Sequence, residues 1–201
     1  MKILFFFITF LYSFNANSLE TSDYRDLNVG GITIFDNLND FLTNRQIRDK
    51  TLENHYTYLN NPNMFTTIQV IDHPEINRKY PVVEINFKRE DRVPVVHSIT
   101  GGEFYSDINL CYKDMIQVAD QISTEYPNFE KFGPSTKIHD ADPSGKSDYT
   151  GVNWNSNDYK VWIRIECYDW NEKLTRKKGW KDNLSYNIST INFVTWLSDL
   201  K

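Results

Sequence analysis

The sequence predicts an α+β domain: an antiparallel sheet of about six to seven strands, helices packed on one face, and one helix-to-strand disulfide. Three observations lead there. Short alternating apolar segments come in consecutive groups of about three, so neighbours can pair as antiparallel meanders, and helical patterns fall between the groups rather than after every strand. From Ser106 to Tyr126, the residues Ile108, Cys111, Met115, Val118, Ile122 and Tyr126 recur at three- and four-residue steps, the period of one buried helix stripe. From Tyr159 to Cys167, alternation puts Tyr159, Val161, Ile163, Ile165 and Cys167 on one strand face and Lys160, Trp162, Arg164 and Glu166 on the other.

Strand signals lie at residues 31–35, 65–71, 80–88, 93–100, 149–154, 159–168 and 184–189. A first helix starts near Asp36 and Asn37, carries Leu38, Phe41 and Leu42, breaks at Thr43 and Asn44, and resumes through Ile47 and Leu52. The second is the Cys111 helix, ended by Pro127, which cannot continue it. The third runs over residues 190–200, with Ser189 or Thr190 as its cap and Ile191, Val194 and Leu197 on one face.

Residues 1–18 read as a signal peptide and 19–201 as a single domain. Lys2 precedes a mostly apolar run from Ile3 to Phe14, too short to cross a bilayer as a lasting helix, and Ala16 and Ser18 are the small residues a signal peptidase reads. No later segment is long and apolar enough to span a membrane, so the expected product is soluble and periplasmic or secreted. An exported chain with two cysteines, both on buried faces, invites a Cys111–Cys167 disulfide.

A net charge of −5 argues against a dedicated nucleic-acid binder, which normally carries a basic domain charge. The densest polar run is His139 to Asp148. Asp140, Asp142, Ser144, Gly145 and Asp148 match positions of a calcium loop, although its final bidentate Glu is replaced by Gly151; the simpler reading is an Asx-type turn. Gly145-Lys146-Ser147 resembles the end of a phosphate loop but lacks the leading Gly, and Asp140 stands there instead. His139, Asp142 and Ser144 lie in one short segment, whereas a hydrolytic triad needs residues converging tip to tip. His55, His73 and His97 have no zinc-ligand spacing. No catalytic residue is assigned.

Two features favour binding. Lys173, Arg176, Lys177, Lys178 and Lys181 concentrate positive charge beside Trp170 and Trp180, a candidate contact for anionic lipid headgroups or polymers, or an ordinary solvated hairpin loop between two strands. Trp162 and Tyr168 stand among charges on the outer face of their strand, a candidate platform for sugar or protein. Asn183-Leu184-Ser185 and Asn187-Ile188-Ser189 fit the glycosylation sequon but fall in a strand.

At residues 31–36, 139–147 and 167–170 the chain resembles a group of short exported proteins of unknown function from AT-rich bacterial genomes. The resemblance implies a periplasmic address and no activity. The expectation is an exported binding module at the cell envelope, with a protein or glycan partner and no cofactor. The alternatives are a calcium-stabilised domain using Asp140, Asp142, Ser144 and Asp148 and, behind it, a periplasmic hydrolase.

Overall fold

The structure, a computed structural model, describes Tyr24, residues 26–158 and residues 160–200. The 1–18 segment and Tyr159 lie outside the described residues. Seven strands form one antiparallel sheet: β1 (Phe65–Val70), β2 (Val82–Lys88), β3 (Val96–Phe104), β4 (Glu130–Ile138), β5 (Asp148–Asn155), β6 (Val161–Asp169) and β7 (Asn183–Thr190). Among the described residues four α-helices accompany them: α1 (Asn44–Asp49), α2 (Ile108–Glu125), α3 (Glu172–Lys178) and α4 (Ile191–Leu197). The strand order is β1-β2-β3-β7-β6-β5-β4. After the β1–β3 meander the chain crosses along α2 to the far edge, then returns strand by strand until β7 pairs with β3.

Alternation explains the core. Val161, Ile163, Ile165 and Cys167 of β6 and Leu184, Tyr186 and Ile188 of β7 are buried on the α2 side, beside Ile85, Ile99 and Trp154. Full burial of each aliphatic side chain contributes roughly 1.5–3 kcal/mol. From α2, the stripe of Cys111, Met115, Ala119 and Ile122 packs onto them. The Asp107 side chain caps its first turn by accepting from Asn109 N–H, and the helix stops at Glu125, ahead of Pro127. Cys111 and Cys167 form the disulfide with Cα atoms 5.9 Å apart, tying α2 to β6.

The other sheet face is covered at one end by α4. There Phe193 and Trp196 of α4 meet Phe65, Tyr56 and Leu59 in a second, aromatic cluster. Thr190 caps α4 by accepting from Phe193 N–H. Helix α2 thus takes the face expected from the sequence, and α4 adds a partial cover on the opposite one.

Four local expectations change. Residues 31–35 are no strand: Val29 and Ile32 bridge each other, and Phe35 turns the chain with φ 70°. Ile32 and Ile34 are nonetheless buried, so their apolar signal marked the core and not a ladder. Strand β4, at the sheet edge, has every residue exposed and carries a register shift around Gly133 and Pro134, so it shows no apolar alternation. The basic connection after β6 is a helix, α3, capped by Asn171 and ended by Gly179 at φ 71°, the left-handed position glycine suits best. The first predicted helix is a 3-10 turn, Leu38–Asp40, followed by α1 behind a Thr43/Gln46 capping box.

Candidate functional site

Away from α2, the same strands that build the core turn short polar side chains outward. On β7 these are Asn183, Ser185, Asn187 and Ser189, alternating with the buried Leu184, Tyr186 and Ile188. Register places Ser189 beside Ser98, Asn187 beside Thr100 and Ser185 beside Gly102 of β3. The middle of the face is a closed network. Asn187 Nδ2 donates to Ser98 Oγ at 3.0 Å and Thr100 Oγ1 at 2.8 Å, and the Ser189 hydroxyl lies 2.7 Å from Asn187 Oδ1. Buried polar groups satisfied in this way make a rigid floor. Asn187, although within a sequon, is locked into that floor and offers no free amide to a glycan.

Beside it, β6 presents Glu166, which is 4% exposed, accepts from Tyr168 Oη at 2.6 Å and forms an ion pair with Arg164 Nε at 3.3 Å. Gly151 on β5 makes room for it: a Cβ there would meet Glu166 Cγ at 2.6 Å. Burial, then the neighbouring Glu166 carboxylate, pushes the Tyr168 phenol well above its usual range, so it stays a neutral donor.

Aromatic side chains stand at both ends of this face. At one end Tyr149, Tyr168 and Trp170 stack in sequence, with centroids 5.6 Å and 5.9 Å apart, and Trp180 leans on Trp170 at 4.5 Å. Tyr168, Trp170 and Phe104 wall a groove of about 250 Å³ whose polar lining is Glu84, Thr100, Asn183 and Ser185. Phe104 is 48% exposed. At the other end Trp162 and Arg164 border a hollow of about 280 Å³ closed by Val194 and Leu197 of α4. The two platform residues named from the sequence, Trp162 and Tyr168, therefore mark the two ends of one face.

Residues 139–148 hold this assembly in place. Asp142 is buried; its Oδ1 accepts from the Ser144 N–H at 2.9 Å and hydroxyl at 2.7 Å, and its Oδ2 from the Ser147 hydroxyl at 2.8 Å. These bonds, led by Ser144, hold its carboxyl down to about 2. Ser147 Oγ accepts in turn from Asn171 N–H, and Asn171 Nδ2 reaches Ser144 Oγ at 3.3 Å, so the loop braces the cap of α3. His139 packs against Trp170 at 4.5 Å and Tyr168 at 5.6 Å, and its Nδ1 accepts from Ala141 N–H. Burial lowers the His139 pKa against the pull of Asp140, Glu166 and Asp142.

Within the calcium-like run, Asp142 uses both carboxylate oxygens on the loop itself, Asp140 and Ser144 are exposed, and Asp148 sits in β5 opposite Asp169. Among the described residues no group of three or more His, Cys, Asp or Glu is arranged to hold a metal ion. The Ser144 hydroxyl donates to Asp142 and not to an imidazole, the acceptor that would activate it as a nucleophile. The other histidines are dispersed: His97 stands between Phe65 and Thr190, His73 accepts from Ile76 N–H, and His55 edges onto Tyr56.

The five basic residues are all exposed, four on α3 and Lys181 just after it. Both ends of the α3 connection, Trp170 and Asn183, line that groove, and Lys181 Nζ lies 5.7 Å from the Phe104 ring. A larger hollow of about 550 Å³ opens on the α2 side, lined by charges of both signs including Asp26, Glu75, Arg78 and Lys79. Its tyrosines, Tyr80 and Tyr186, are only 4% and 7% exposed, so it presents no aromatic wall.

Sequence reasoning missed Glu84, Phe104, Thr100 and the β7 polar row, because a Ser or Asn on the outer side of a strand looks like any solvated residue. The signal was available in the strict alternation of Leu184, Tyr186 and Ile188 with short polar neighbours. Among the described residues no helix is long and apolar enough to cross a membrane. No family model, curated protein or solved structure matches this chain.

Proposed function

We propose that this chain is an exported binding module that takes its ligand on the polar face of the sheet, in the groove walled by Tyr168, Trp170 and Phe104. The observation that carries the reading is the groove itself: aromatic walls over a floor of fixed hydroxyl, amide and carboxylate groups, the composition of a ligand site. Its floor is set by β2, β3 and β7 and its wall by residues the 139–148 loop braces, so the site is formed before the ligand arrives. The disulfide supports an oxidising compartment, since such bonds are rare in reducing cytosol. Binding without chemistry is favoured because the groove's Glu84 accepts from Gln69 Nε2 and stands beside no serine, cysteine or histidine activated by a base.

Backbone amide NMR of the disulfide-bonded protein, titrated with a fractionated pool of envelope glycans and peptides, tests the site. Shifts concentrated at Gly102, Phe104, Trp170, Asn183 and Ser185 are the expected result. Shifts confined to the α2 side, or unaffected by Trp170→Ala, would remove the sheet face as the binding surface.

A further inference from the structure

Resting on that reading, we infer that the groove's ligand is an acidic polysaccharide, a chain of sugars bearing carboxylates. The groove has the two kinds of surface a sugar ring needs. A pyranose has apolar C–H faces, which lie against aromatic rings, and a rim of hydroxyls that both donate and accept; Tyr168, Trp170 and Phe104 meet the first need. Thr100 and Ser185 hydroxyls, the Asn183 amide and the Glu84 carboxylate meet the second with a mixed set of donors and acceptors.

Charge complementarity selects the acidic class. The protein carries a net charge of −5, yet five of its 22 Lys and Arg residues fall within residues 173–181. The α3 connection that carries them begins at Trp170 and ends at Asn183, both in the groove lining, and Lys181 Nζ lies 5.7 Å from the Phe104 ring of its wall, so positive charge reaches the groove's edge at Lys181. Glu172, the acidic residue of α3, lies 3.4 Å from Arg176, and Lys178 stands over Trp180 at 4.2 Å. Lys173, Lys177 and Lys181 add exposed cations. With Glu84 inside and the cations outside, the groove orients such a ligand: neutral hydroxyls face Glu84, and the carboxylates of flanking sugars face α3. A polymer suits this layout better than a single sugar, because a 250 Å³ groove holds about one ring while the basic residues of α3 lie outside its lining.

The experiment measures binding of the disulfide-bonded protein to oligogalacturonate, to neutral dextran oligosaccharides of equal length, and to vesicles containing phosphatidylglycerol, by calorimetry and amide NMR. Oligogalacturonate should bind and move the groove resonances, dextran should bind at least about tenfold more weakly, and affinity should fall as salt screens the charges. The combined variant Lys178→Gln and Lys181→Gln should weaken oligogalacturonate about tenfold while leaving the residual dextran affinity unchanged. Trp170→Ala and, in case that variant folds poorly, Phe104→Ser should weaken both sugars.

Equal affinity for dextran and oligogalacturonate with shifts in the groove would overturn the acidic class and leave the sheet face standing as a site. Vesicle binding sensitive to the lysine variant, with no oligogalacturonate binding, would replace the polysaccharide by an anionic lipid surface. Oligogalacturonate shifts that avoid the groove and ignore Phe104→Ser would overturn the inference and the sheet-face reading together. Absence of binding to every probe would also overturn the inference.

Discussion

The two faces of the sheet are built from the same strands by opposite means. On β7, Ile188 is fully buried against the core while Asn187, one residue earlier, is buried in a net of hydroxyls on the other side. The α2 face is held by non-directional apolar burial and sealed by a disulfide. The outer face is held by directional bonds that work only in one arrangement, which is why it can present fixed groups to a ligand. One face supplies stability and the other a shaped surface; the period of two in a strand keeps the duties apart.

Breaking the covalent seal should have the largest effect. Replacing Cys111 and Cys167 together by Ser frees a loop of 56 positions and should cost about 4 kcal/mol by loop-closure entropy, read by urea unfolding. Next, Ile188→Ala should cost about 3 kcal/mol through lost burial and the cavity left behind. Its neighbour on the opposite face, Asn187→Ala, should cost about 1–2 kcal/mol by stripping partners from Ser98, Thr100 and Ser189. If Asn187→Ala proved costlier than Ile188→Ala, the division of duties between the faces would be wrong.

Acid should act on the outer face first. The His139 pKa is lowered from 6.5 in the folded protein, so its contribution to stability is present above that value and is lost as pH falls through the depressed one. Asp142 follows the same sign: its contribution is present above 3.8 and lost as pH falls toward about 2. Near-ultraviolet dichroism of the Tyr168–Trp170 stack should therefore change before far-ultraviolet helix and sheet signals do. The smallest effect belongs to the groove wall: Phe104→Ser, at a side chain 48% exposed, should shift stability by no more than about 0.5 kcal/mol while altering ligand binding.

Much of this architecture was legible before the fold. The α2 stripe, the β6 alternation and the pairing of Cys111 with Cys167 follow from periodicity, because a buried face leaves a repeating apolar mark. Strand β4 left none, since all of its residues are exposed and its order comes from pairing with β5. Trp162 and Tyr168 could be placed on one strand face, but nothing local told that Phe104, Glu84 and Asn183 would join Tyr168 across three other strands. The 139–148 run attracted attention for its ligand-like spacing, and the contacts that matter, from Ser147 to Asn171 and from His139 to Trp170, span more than twenty residues.

By itself, the sequence determined the α+β class, the core faces, the disulfide pairing and the clustering of basic residues, because each depends on neighbours within one helix or strand. The tertiary structure alone decided that β7 lies beside β3. It also decided that the basic connection is a helix braced by a distant loop, and that Lys181 beyond that helix stands beside an aromatic groove. The physical reason is that periodicity reports which side of an element is buried, whereas a site is a meeting of outward-facing groups. Which outward-facing groups meet is set by strand order, and strand order is a long-range choice made by packing.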